Sequence, residues 1–331
     1  MAGAPEAVDA GALADGIEAG DRRALARGIT LVESTRPDHQ DAATALLERL
    51  LPRTGGSSRI GISGPPGVGK STFIEAFGLH LTGSGHQVAV LAVDPTSSVS
   101  GGSILGDKTR MAELGRHPSA FIRPSPGGGQ LGGVARRTRE ALLLCEAFGF
   151  DVVVVETIGV GQSEVAVADL VDLFLLLVSP GGGDELQGIK RGIMELADLI
   201  VVNKADGDLE AAAGRTRADY GNAVHLLRPR WRSWAPRALA CSALEQRGIA
   251  EVWEAIEEFL ATVRIDGELD AHRSRQAVAW LWSEVNDDLV ADLRSDPEVR
   301  ARLDELEPAV AAGRTTPGAA ARELLRAYRR R

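Results

Sequence analysis

The apolar residues in the middle of the chain gather into short unbroken runs instead of alternating with polar ones. Val88-Ala89-Val90-Leu91-Ala92-Val93, Val152-Val153-Val154-Val155, Leu173-Phe174-Leu175-Leu176-Leu177-Val178 and Leu199-Ile200-Val201-Val202 are the clearest. Such runs suit strands covered on both faces, as in a parallel sheet. Arg59-Ile60-Gly61-Ile62-Ser63 and Ala238-Leu239-Ala240-Cys241 add two shorter ones. Helix-compatible stretches separate them. Residues 59–262 are therefore predicted to form an α/β fold, a doubly wound, mainly parallel sheet.

The flanks follow a different period. In residues 1–58, Leu13 and Ile17 lie four apart, as do Leu25 and Ile29, while Leu46, Leu47 and Leu50 make a third stripe. This spacing predicts an N-terminal helical extension whose third helix opens at Pro37-Asp38 and breaks at Pro52. Residues 263–331 hold no strand-like run. Val278, Leu281, Trp282, Val285, Leu289 and Leu293, and later Leu303, Leu306, Leu324 and Leu325, mark amphipathic helices there. Trp280 and Trp282 fall on opposite sides of a helix, and one small domain has too little interior to bury both.

Chemistry enters at the strand ends. Gly64-Pro65-Pro66-Gly67-Val68-Gly69-Lys70-Ser71-Thr72 reads G-x-x-x-x-G-K-S between a strand and a helix, the setting a phosphate-binding loop requires. Glycines let backbone N–H groups turn inward onto phosphate oxygens, and the helix N-terminus adds partial positive charge. Lys70 then reaches the β- and γ-phosphates, and Ser71 can ligate Mg²⁺. An ordinary Gly-Pro turn is the plain alternative, disfavoured by the flanking strand and helix.

Which base is read follows from Asn203-Lys204-Ala205-Asp206, at the end of the 199–202 run. A carboxylate at Asp206 accepts from both N1–H and N2–H₂ of guanine, whereas adenine leaves it facing a ring acceptor. An unsatisfied buried polar group costs about 1–3 kcal/mol, and more when charged. Lys204 would lay its alkyl stem on the base, and Asn203 would tie this turn to the phosphate loop. Ser242-Ala243-Leu244 follows another strand, placing a backbone N–H for guanine O6. The three segments in this order point to GTP over ATP.

The metal and switch residues lie between them. Val152 to Val155 delivers Glu156 to the carboxyl edge of the sheet, where open α/β folds place ligands. That makes Glu156 a carboxylate of the Mg²⁺ shell, direct or through water, and lets the Gly159 N–H approach a γ-phosphate. The 88–93 strand ends in Asp94, and Asp107 follows; helix capping or surface charge is the alternative for both. A Gly-rich loop, Gly181-Gly182-Gly183, leads into Asp184, Glu185, Gln187 and Lys190, a polar set after an apolar strand. Such a loop is expected to order on partner contact, bringing Lys190 toward the transferring phosphoryl group.

Five stretches resemble the MeaB/ArgK/MMAA family of GTPases: Gly64 to Thr72, Ala92 to Ser97, Gly101 to Met111, Val155 to Glu164, and Gly183 to Lys190. Similarity continues through Asn203 to Asp206 and is weaker in the flanks. The resemblance implies a P-loop GTPase with a C-terminal helical dimerisation arm in residues 263–331, hence a homodimer. It implies a G-protein chaperone of an adenosylcobalamin-dependent acyl-CoA mutase, typically methylmalonyl-CoA mutase, gating cofactor loading and protecting or rescuing the mutase. Carried over, the magnesium and phosphate residues are Ser71, Asp94, Asp107 and Glu156; Gln162 joins the catalytic set with Lys70 and Lys190. Gly183 to Lys190 corresponds to the family's third switch. After Pro126 this chain has Gly127-Gly128-Gly129-Gln130 where a Ser-rich turn is expected.

Composition narrows the alternatives. The 331 residues are 25% charged and 44% hydrophobic, ordinary globular values. A net charge of −9 argues against a general grip on nucleic acid. Cys145 and Cys241 sit in apolar surroundings as core residues, and no His/Cys cluster suggests a transition-metal site. No run approaches a membrane span and no signal segment is apparent, so a cytoplasmic protein is expected. The competing function, a P-loop kinase or ATPase tied to arginine or ornithine transport, calls for a base aimed at an acceptor, and no such constellation is visible.

Overall fold

Every one of those apolar runs becomes a strand. The computed structural model describes residues 8–34, 36–93, 111–124, 131–157, 163–181 and 191–329. Among them the strands are β1 (Ser58–Ser63), β2 (Val88–Val93), β3 (Ala120–Arg123), β4 (Val152–Thr157), β5 (Leu173–Val178), β6 (Leu199–Val202) and β7 (Arg237–Ala240). They form one sheet in the order β3-β2-β4-β1-β5-β6-β7, and every pairing is parallel. The expected mainly parallel sheet is thus wholly parallel over the described strands. Edge strand β3 is additional to the sequence reading: four residues with alternating burial give neither a long run nor a clear period.

Helices cover both faces. The first unit holds α1 (Ala10–Glu18), α2 (Arg22–Val32), α3 (Pro37–Leu50), α4 (Lys70–Gly83), α5 (Leu131–Phe148) and α6 (Ser163–Ala168). It also holds α7 (Arg191–Met194), α8 (Glu210–Val224) and α9 (Ile249–Ile265). One face packs Ile60, Val88, Val90, Val154, Leu175 and Val201 against Phe73 and Phe77 of α4 and Ile256 and Phe259 of α9. On the other, Gly61 of β1 lets α6 come close, since a Cβ there would lie 2.9 Å from Val171 and 3.1 Å from Val167. The helices α1, α2 and α3 pack on one another and on α5. Gly28 is their meeting point, its missing side chain leaving room for Ile17, Leu46 and Leu144.

Charge is buried beneath this sheet. Arg59 of β1 pairs with Glu146 of α5 through Nε at 2.8 Å and Nη2 at 3.0 Å. Asp172, fully buried before β5, accepts from the Arg59 N–H at 2.9 Å. It also accepts from Arg273 through Nε at 2.9 Å and Nη2 at 2.7 Å. Arg273 lies near the start of α10 (Glu268–Ser295), whose Leu269, His272 and Gln276 are buried.

Contacts divide the chain into Met1–Gln276 and Ala277–Arg331. The second unit holds the rest of α10 with α11 (Pro297–Ala311) and α12 (Pro317–Tyr328). Asp296 caps α11 by accepting from the N–H groups of Glu298 and Val299, with Pro297 at the first position. Thr316 and Pro317 repeat the device for α12. Along α10, Val278, Leu281, Trp282, Leu289 and Val290 are exposed.

Candidate nucleotide-binding site

The phosphate loop leaves β1 at the topological switch point, because β1 lies between β4 and β5 while the chain moves on to β2. Gly64 passes so close to β5 that a Cβ would lie 2.5 Å from the Leu177 carbonyl oxygen. Gly69 adopts φ +92°, a left-handed conformation that glycine takes at no steric cost, and a Cβ there would lie 2.9 Å from Asn203 Nδ2. Helix α4 begins at Lys70 directly after it. Lys70 Nζ donates to Gly64 O at 2.7 Å and Pro65 O at 3.3 Å. Burial draws its ammonium below the usual lysine range, while Glu156 and Glu164 oppose that shift and favour the charged form.

The metal-type oxygens come from two elements. Ser71 is the second residue of α4, and Glu156 is buried near the end of β4, in register with Ile62 of β1 and Ala92 of β2. A hydroxyl and a carboxylate are hard oxygen donors, the set that Mg²⁺ takes. Thr157 Oγ1 donates to Ser63 Oγ at 2.8 Å, closing the ends of β4 and β1 together. Asp94, Asp107, Gly159, Gln162 and Lys190 lie outside the described residues. Glu164, to which sequence reasoning gave no role, is fully buried in the first turn of α6, and its charge is felt at Lys70. Its only signal in the sequence is an acidic residue opening a helix after a Gly-rich stretch.

The turns after β6 and β7 converge on the same loop. Asn203, buried after β6, donates from Nδ2 to Val68 O at 3.0 Å and accepts at Oδ1 from the Ala243 N–H at 3.1 Å. One amide thus joins the phosphate loop to the turn after β7. Lys204 donates from Nζ to Gly67 O at 2.6 Å. The Asp206 carboxylate accepts from the Ser242 hydroxyl, and Ser242 Oγ accepts from the Glu245 N–H at 3.0 Å. Ala243 is buried beneath the exposed Leu244. Pro66, Gly67 and Thr72 are exposed around this rim.

Strain concentrates here. Among the described residues the non-glycine positions with positive φ are Lys204 (60°) and Gln246 (56°), one in the turn after β6 and one in the turn after β7. A non-glycine residue held left-handed costs about 1–3 kcal/mol and persists where the surroundings over-determine it. Cys241 is buried beside Asn203, and burial pushes its thiol up to about 12, so it acts as packing.

A parallel sheet, a lysine-bearing glycine loop at its switch point and two turns docked on that loop define a P-loop GTPase. The family described as methylmalonyl Co-A mutase-associated GTPase MeaB matches residues 25–298, and the chain belongs to that family. It is 53% identical to the GTPase ArgK of Escherichia coli over 83% of each chain. It is 49% identical to the mouse protein named methylmalonic aciduria type A homolog, mitochondrial, over 96% of this chain and 79% of that one. A solved structure of a LAO/AO transport system kinase, 41% identical, superposes with a TM-score of 0.75 and covers 96% of both chains. Among the described residues no helix is long and apolar enough to cross a membrane.

Proposed function

We propose that this GTPase is a chaperone for an adenosylcobalamin-dependent acyl-CoA mutase, methylmalonyl-CoA mutase first among them. In this reading GTP hydrolysis gates cofactor loading and protects or reactivates the mutase. The observation that carries it is the match, over most of the chain, to a family described by its association with that mutase.

The loop N–H groups from Gly67 to Ser71 and the Lys70 ammonium hold the β- and γ-phosphates. Ser71 and Glu156, with Asp94 and Asp107, hold Mg²⁺, which when bound neutralises charge on those phosphates. Asp206 reads guanine N1–H and N2–H₂, Lys204 covers the base, and the Ser242-Ala243-Leu244 turn supplies a backbone N–H for O6. Water attacks the γ-phosphorus in line, the bond to the β-phosphate oxygen breaks, and GDP leaves with inorganic phosphate. Gln162 belongs to the catalytic set, and Lys190 joins it when the mutase docks. The exposed apolar row on α10, from Val278 to Val290, supports a homodimer through residues 263–331.

The test is phosphate release from GTP with and without purified mutase, alongside complex formation in GTP and in GDP. Mutase that neither binds nor alters the rate overturns the chaperone reading. A second reading, a P-loop kinase or ATPase associated with arginine or ornithine transport, draws on the likeness to a protein named as a transport system kinase. Label from γ-³²P-GTP on an acceptor molecule, rather than in inorganic phosphate, would favour it.

A further inference from the structure

Arg247 touches none of the atoms assigned to the nucleotide, yet it is bonded to both base-reading turns. Its Nη2 donates to Ala205 O at 3.2 Å, the carbonyl between Lys204 and Asp206. Its Nε donates to Glu245 at 2.8 Å, and Nη1 lies 3.6 Å from Glu210, the first residue of α8. Its backbone closes the second turn, with Ser242 N donating to Arg247 O at 2.9 Å and Arg247 N to Ser242 O at 3.1 Å. Residue 247 follows Gln246, at positive φ, and precedes Gly248, where a Cβ would lie 2.6 Å from Ala240 O.

The planar guanidinium presents its donors in a fixed fork, so one side chain can fix the relative placement of three segments at once. That placement sets where the Ser242 hydroxyl meets Asp206. We propose that Arg247 is a positioning residue for guanine selectivity, clamping the Lys204–Asp206 turn to the Ser242–Arg247 turn. This rests on the reading that Asp206 recognises guanine. Arg247 is half-exposed in an open groove of about 780 Å³, so its removal empties no core.

The experiment measures GDP and ADP affinities of the full chain for wild type, Arg247→Ala, Arg247→Lys and Asp206→Asn, with melting temperatures. The expected result is a fall of about three- to tenfold in GDP affinity for Arg247→Ala, the scale of one charged hydrogen bond with exposed ion pairs. ADP affinity stays at its wild-type value, so the GDP/ADP ratio drops. Arg247→Lys keeps the charge but not the fork, and is expected to stay near the alanine variant. An unchanged ratio in Arg247→Ala overturns the clamp, as does full wild-type selectivity in Arg247→Lys. Equal losses for GDP and ADP overturn it too, marking a general structural effect. If Asp206→Asn keeps its preference for GDP, the base-reading assignment itself fails, and the clamp with it.

Discussion

Asn203→Ala removes the one side chain that, among the described residues, bonds the phosphate loop and the turn after β7 together. The substitution strips a donor from Val68 O and an acceptor from the Ala243 N–H, both in residues with almost no exposure. Each buried polar group left without a partner costs about 1–3 kcal/mol, so the two together cost about 2–6 kcal/mol. A domain of this size loses roughly 2–4 °C of melting temperature per kcal/mol. A fall of roughly 4–24 °C is therefore expected, within a total stability of about 5–15 kcal/mol that keeps the protein folded. Nucleotide affinity falls as well, because binding must now bring the two segments into register; every 1.4 kcal/mol spent that way is about tenfold in Kd. Thermal denaturation without nucleotide and titration with a fluorescent GDP analogue measure the two effects. Asn203→Asp sharpens the test: it keeps an acceptor for Ala243 but points a second oxygen at Val68 O. It should be no better than alanine at neutral pH. A melting point within a degree of wild type and unchanged GDP affinity in Asn203→Ala would refute the reasoning.

Lys70→Ala is expected to abolish tight GTP binding and hydrolysis with the melting temperature of the free protein nearly unchanged; near-wild-type turnover would sink the loop assignment. Arg273→Met leaves fully buried Asp172 with the Arg59 N–H alone, at a cost of about 3–5 kcal/mol; urea unfolding reads it, and a loss below 1 kcal/mol would contradict a paired charge there. His272 is pushed down to about 4 by burial and by Arg230, from an ordinary 6.5. Its folded pKa lies below its unfolded one, so its contribution is present above pH 6.5 and is lost as pH falls toward 4. Asp198, pushed up to about 6 by burial, has the opposite sign, losing its contribution as pH rises through 6. The stability advantage of wild type over His272→Gln should therefore shrink between pH 7 and pH 4.5, and a constant difference over that range would count against the assignment.

Most of the sheet was legible because strands buried on both faces must be apolar throughout, and Val88–Val93, Leu173–Val178 and Leu199–Val202 carry nothing else. Strand β3 was not, since Ala120–Arg123 alternates in burial and is too short to establish a period. The glycine loop and the N-K-x-D turn were legible as strand-end turns because each directly follows an apolar run. Their supports were hidden. Arg247 is a common turn residue whose contact with Ala205 spans 42 positions, and Arg59 finds Glu146 87 positions away. Hydrophobic pattern is silent about such pairs. Likewise, α10 carries one amphipathic pattern, yet Leu269, His272 and Gln276 are buried while Val278 and Leu281 are exposed.

The charges under the sheet also set an order of events during synthesis. Asp172 enters the base of the sheet with its own strand, but the guanidinium that pairs with it lies 101 residues further along. Until Arg273 has left the ribosome, every earlier strand can be in place while this carboxylate stands half-matched in a dry environment. A nascent chain halted between α9 and α10 therefore holds all its proposed nucleotide-binding segments but lacks the last lock of the floor beneath them. Commitment to the finished GTPase waits for the first turns of α10.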